Sequence, residues 1–122
     1  MIGYKVLKVR DGKLYSLYAK PPYELLYEPG EVTIPTIGVL FCCDCQESAK
    51  DVARIVTYPH WQIWKVEMKD SQPCLGEIAE DTDAESIRNW WDGEIGYRHF
   101  RGTDAPPGTL WCTSIKLIEE IK

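Results

Sequence analysis

The dipeptide Asp11-Gly12 constrains the fold of this chain more than any other feature. It stands between two runs rich in Tyr, Val and Leu, residues 4 to 10 and 13 to 19. A two-residue hairpin turn needs positive φ at its central positions, which Gly adopts freely and Asp tolerates. The two runs are therefore predicted to pair as antiparallel strands, and the fold is read outward from that hairpin.

Proline marks the next boundaries. Pro21-Pro22 ends the second strand because neither residue donates to a ladder, and Tyr23 to Tyr27 forms another extended piece closed by Pro29-Gly30. Val32 to Ile34 is cut by Pro35, and Ile37 to Cys43 is a continuous apolar run of the kind found in strands buried on both faces. That run is predicted to be central.

Asp44 and Glu47 match a capping box, and Ala49, Val52, Ala53 and Val56 follow at helical spacing, which predicts a helix from about Cys45 to Val56. Tyr58-Pro59 stops it. Beyond, Trp64, Val66 and Met68 alternate with Lys65 and Glu67, the pattern of a half-buried strand. Thr82 and Glu85 form a second capping box, with Ile87, Trp90 and Trp91 on a helical face and Gly93 at the C-terminal cap. Residues 94 to 108 read as a long loop, and Leu110 to Leu117 as a last strand.

These elements predict an α+β fold: a mostly antiparallel sheet with one or two helices packed on it. The 122 residues suit a single domain spanning 1–122, and an apolar content of 44% with five Trp and seven Tyr is that of a folded chain. No apolar run has the length of a signal peptide or a membrane helix, so a cytoplasmic, soluble protein is expected.

A formal net charge of -5, with no stretch that collects Lys or Arg, argues against nucleic acid as a partner. The five cysteines are odd in number and include the adjacent Cys42 and Cys43, so reduced thiols are expected. Cys42-Cys43-Asp44-Cys45 contains a C-x-x-C at a helix start, the place where a redox enzyme sets a reactive thiol. The Ile34-Pro35-Thr36 before it is in the wrong order for a thioredoxin, and Cys74, Cys112, His60 and His99 supply no second close pair for zinc. Core cysteines are the reading preferred, with no metal and no cofactor predicted.

The densest set of aromatic and interaction-prone side chains is Trp90, Trp91, Tyr97, His99, Phe100 and Arg101. Trp, Tyr and Arg dominate interface hot spots because they join large contact area to a polar handle. These six are the predicted partner-binding residues, the competing reading being that the two tryptophans cover the sheet edge. His99 with Glu94 or Asp104 is a poor acid/base pair, and no Walker loop, G-x-S-x-G, G-x-G-x-x-G or H-E-x-x-H occurs, so no catalytic residue is assigned.

Four segments carry a resemblance: Tyr4-Lys5-Val6, Gly38-Val39-Leu40-Phe41-Cys42 before a helix, Trp64-Lys65-Val66-Glu67, and Ile115-Lys116-Leu117. In this order the chain resembles a family of small uncharacterised proteins of bacteria and phages, some attached to pentapeptide repeats. It departs from them at Leu40, where a His is frequent, and in the region from Trp90 to Gly108, which looks like an insertion. The layout is also similar to small ADP-ribosyltransferase folds, with Gly38-Val39-Leu40-Phe41 and Ala49 in the matching places. It lacks the first-strand His or Arg and an assignable glutamate. The resemblance implies a phage or mobile-element origin, and the reading preferred is a non-enzymatic interaction protein with a protein partner. The alternative is an NAD-using ADP-ribosyltransferase-like enzyme or a degenerate relative.

Overall fold

The computed structural model describes residues 1–17, 24–36, 39–56, 58–73 and 108–122, together with the backbone course of 77–79 and 102–104. The Asp11-Gly12 hairpin forms as the sequence predicts. β1 (Ile2–Arg10) pairs with β2 (Lys13–Tyr15), and both turn residues have positive φ, 53° and 74°. β3 (Leu26–Tyr27) and β4 (Val32–Thr33) follow as two short strands, then β5 (Leu40–Cys43), the only helix among the described residues, α1 (Gln46–Arg54), and β6 (Trp61–Lys69). The rest are β7 (Gln72–Pro73), β8 (Glu77–Ala79), β9 (Gly102–Asp104), β10 (Thr109–Cys112) and β11 (Ser114–Ile121).

Every pairing among the described strands is antiparallel. The sheet therefore dominates, with one short described helix on it. The second predicted helix, Thr82 to Gly93, lies outside the described residues.

Three expectations need correction. Residues 94 to 108 are not all loop: Gly102–Asp104 pairs with Glu77–Ala79 in a small separate sheet. The last apolar stretch is two strands, because Thr113 leaves the ladder and gives its backbone N–H and its hydroxyl to the Lys69 carbonyl at 3.0 and 3.2 Å. The helix begins one residue later than the capping box requires. Cys45, in extended backbone, is the N-cap and makes no side-chain cap bond, while Asp44 accepts from the Ser48 hydroxyl at 3.1 Å.

The break at Thr113 shapes the molecule. The pairing order is β4-β11-β6-β1-β5-β10-β7, so β10 and β11 stand four places apart yet are joined by one residue. Four strand spacings in a flat sheet span about 19 Å, and one intervening residue spans roughly 7 Å. The sheet must curl until β10 and β11 meet. The inner side of the curl holds Leu7, Leu14, Tyr27, Leu40, Cys42, Val66, Met68, Leu110, Cys112, Ile115 and Leu117. Each Leu or Ile there stabilises the fold by roughly 1.5–3 kcal/mol through its burial.

The outer side carries α1, whose Ala49 and Ala53 pack with Val6, Cys43 and Ile63. Small residues on the helix let it approach the strands closely. Adjacent Cys42 and Cys43 fall in the two different clusters, as expected of a strand buried on both faces. The strand at the centre of the order is β1, with β6 on one side and β5 on the other. In β6 the predicted alternation holds: Trp64, Val66 and Met68 point inward, and Ile63 meets the helix from the other face. A bulge between Leu117 and Glu119 sets Ile121 opposite Ile63, where strict alternation would have turned it inward.

Candidate functional site

The six residues predicted to bind a partner, Trp90, Trp91, Tyr97, His99, Phe100 and Arg101, all lie outside the described residues. The described part of the chain presents an exposed tryptophan of its own. Trp61 is 41% exposed and borders a surface depression of about 460 Å³ that is lined by Val9, Pro59, His60, Trp61 and Gln62.

Local sequence explains this depression. Pro59 turns the chain from the helix toward β6, and the β1–β6 ladder ends at Lys8 opposite Trp61, closed by a bond from the Val9 N–H to the His60 carbonyl at 2.8 Å. Beyond that point β1 runs on into its hairpin with β2 and no longer has β6 beside it, which leaves an open corner. Ile63 and Trp61 share the outer face of β6. The helix covers Ile63, which is 5% exposed, and leaves Trp61 open.

Gln62 is fixed by its neighbour, since its side-chain oxygen accepts from the Trp64 indole N–H at 2.9 Å. That bond holds the Gln62 side chain on the Trp64 side of the strand, and His60 is exposed where the strand begins. The corner is stiffened from the β1 side. Glu24, with only 6% of its side chain exposed, takes Lys8 at 2.5 Å and Arg10 at 2.7 Å. Arg10 also lies over the Tyr15 ring at 4.2 Å, and Lys8 stands 5.8 Å from the Tyr58 ring. Burial pushes the Glu24 carboxyl up, but hydrogen bonds from Arg10 and Lys8 outweigh it and hold the group below its ordinary range.

A second group of polar side chains lies within the core. Lys5 projects from the inner face of β1, gives a hydrogen bond to the Phe41 carbonyl at 2.5 Å, and stands 5.6 Å from the ring of Tyr27. Burial alone would lower the Lys5 ammonium, but charge interactions with Tyr27, Cys42, Cys112 and Cys43 outweigh it and raise the group. Burial pushes the Cys42 thiol well up and Cys43 up to about 11. A hydrogen bond from Cys42 lowers Cys112, which in turn donates to the Leu40 carbonyl at 3.7 Å.

Lys5 is half-buried, whereas the thiols it faces are closed in. Cys112 is 0% and Cys42 4% exposed, so neither thiol meets solvent. The C-x-x-C of Cys42 and Cys45 is parted in space, with Cys42 inside the curl and Cys45 exposed at the helix start beside the Ser48 hydroxyl. Among the described residues no three His, Cys, Asp or Glu side chains converge as metal ligands. No described helix is long and apolar enough to cross a membrane.

Ala49, which carries part of the ADP-ribosyltransferase resemblance, is wholly buried against the sheet. Comparison with known proteins gave no match to any family model, curated protein or solved structure.

Trp61 escaped the sequence reading although the signal was present. The alternation that turns Trp64, Val66 and Met68 inward turns Trp61 outward, and Pro59 marks where its strand starts.

Proposed function

We propose that this chain is a binding protein that holds a side chain of a polypeptide partner in the corner lined by Trp61, His60 and Gln62. The observation that carries the reading is Trp61, a large aromatic left 41% exposed beside an open surface depression. Tryptophan in such a place contributes contact area at low entropic cost, and it leads the residue types found at binding hot spots. The acidic balance of the chain, at -5, favours a polypeptide over nucleic acid.

The reading is tested with peptides selected on the wild-type protein from a displayed random library. Trp61→Ala should weaken the selected peptides by about 2 kcal/mol, roughly 30-fold, with the circular dichroism unchanged. Peptides that bind the variant as well as the wild type would place the contact surface elsewhere.

A further inference from the structure

Two buried cysteines on the inner face of the curl are in contact with each other. β5 and β10 pair antiparallel with Cys42 opposite Leu110 and Leu40 opposite Cys112, so the two cysteines are diagonal neighbours. The Cys42 thiol donates a hydrogen bond to the Cys112 sulfur, and the Cys112 thiol donates to the Leu40 carbonyl at 3.7 Å. From β1, the strand next to β5, Lys5 brings its ammonium to the same place and bonds the Phe41 carbonyl, between Leu40 and Cys42. Charge interactions tie that ammonium to both thiols. The group lies on the opposite face of the sheet from Trp61 and owes nothing to the binding reading.

Two sulfurs in contact beside a cation form a site for thiol oxidation, because the thiolate is the reacting form and a cation stabilises it. We propose that Cys42 and Cys112, with Lys5 beside them, are an oxidisable pair that hydrogen peroxide converts to a disulfide. The two sulfurs take different parts. The bond from Cys42, together with the Lys5 charge, lowers the Cys112 thiol, whereas burial raises the Cys42 thiol. The Cys112 thiolate attacks one peroxide oxygen and the O–O bond breaks. Its sulfur is oxidised to a sulfenic acid, and the departing hydroxide leaves as water with the proton that Cys112 gave up. The Cys42 sulfur then displaces the sulfenic hydroxyl, the S–S bond forms, and a second water carries off the Cys42 proton. Two molecules of a small thiol reduce the bridge by exchange and become a disulfide themselves.

Position sets the character of this bridge. Diagonal neighbours lie about 7–8 Å apart and a disulfide needs Cα atoms within roughly 7 Å, so the two strands must draw together by about an ångström. β10 can yield, since its other neighbour among the described residues is the two-residue β7. A strained bridge is readily reduced, as suits a reversible modification. Lys5 is half-buried, so solvent reaches beside the pair although the sulfurs are closed in, and hydrogen peroxide is little larger than water.

The test treats the native, fully reduced protein with a modest excess of hydrogen peroxide and follows its intact mass. The mass should fall by two hydrogen atoms and return with dithiothreitol. Peptides made without reduction should join the segment holding Cys42 to the one holding Cys112, with fragmentation placing the bridge on Cys42 and not on Cys43 or Cys45. Cys42→Ser and Cys112→Ser should each abolish the bridge with the circular dichroism unchanged, whereas Cys45→Ser, at the exposed thiol beside Ser48, should keep it. Lys5→Met should slow bridge formation at least about tenfold, because the thiolate fraction of Cys112 falls with the loss of the cation. Should either buried serine variant not fold, the unreduced peptide map of the wild type decides alone. A wild type that forms no bridge, a bridge that survives Cys42→Ser or joins Cys45, or a Lys5→Met variant that oxidises as fast as the wild type would each overturn the proposal.

Discussion

Lys8 and Trp61 stand directly opposite each other in the β1–β6 ladder, and the Lys8 ammonium is held at 2.5 Å by Glu24, a residue from outside both strands. The ion pair therefore braces one wall of the corner that Trp61 borders. Lys8 and Arg10 lie on the same face of β1, two residues apart, so a single carboxylate bridges both.

Glu24 makes stability depend on acid. Its carboxyl is held below the ordinary value of 4.5 in the folded state, so its contribution is complete above that value and is lost as pH falls through the folded-state one. Glu24→Gln should be less stable than the wild type near neutral pH, and the gap should narrow as the medium is acidified below 4.5. Urea midpoints measured across that range check this. A gap that stays constant with pH would assign the loss to packing instead of charge.

Gly108 is required where it stands. Its φ is +84°, and a Cβ there would overlap the Ser48 hydroxyl and the Asp44 carboxylate at the start of α1. The same turn ties its carbonyl to the Asp44 N–H at 2.8 Å. Gly108→Ala should cost about 1–3 kcal/mol, read as a lower urea midpoint at unchanged slope. Gly12→Ala keeps the positive φ of 74° but meets no atom within 4 Å, so it should cost less.

Among the described cysteines, access decides reactivity. Cys112 has its thiol lowered by Cys42 and would be the best nucleophile by that measure, yet it is 0% exposed. Cys45 is exposed at the helix start. A maleimide added to the native protein should modify Cys45 within minutes, whereas Cys42, Cys43 and Cys112 react only at the rate of unfolding. Peptide mass spectrometry after timed quenching separates the two classes. Early labelling of Cys112 would show that the curl opens far more readily than its burial implies.

Local rules made the hairpin, the first helix and the β6 alternation legible in the sequence. Asp11-Gly12 demands positive φ, Ala49 and Ala53 recur at helical spacing, and Trp64, Val66 and Met68 alternate. The curl was not legible, because it depends on Thr113 leaving its ladder to bond Lys69 across 44 residues of sequence. A threonine in an apolar stretch reads as an ordinary strand residue. The start of α1 was misplaced for a related reason. Asp44 fits a cap by type, but its carboxylate is engaged by Ser48, and Cys45 takes the cap position by backbone geometry alone.

The corner at Trp61 was missed because aromatic density was taken as the guide. The cluster from Trp90 to Arg101 is dense in sequence, whereas Trp61 is flanked only by Tyr58, three residues before it, and Trp64, three after it, which faces the opposite side of its strand. What distinguishes Trp61 is that α1 ends before reaching it, and helix length is not written at residue 61.

The direct test of the binding proposal is an amide and indole spectrum of isotope-labelled protein, titrated with a peptide selected on the wild type. The account predicts that the Trp61 indole N–H moves first and furthest, together with the backbone N–H groups of Val9, His60 and Gln62, while the edge residues Val32 and Ile34 stay in place. Shifts centred on Val32 and Ile34, or anywhere that leaves Trp61 unmoved, would contradict it.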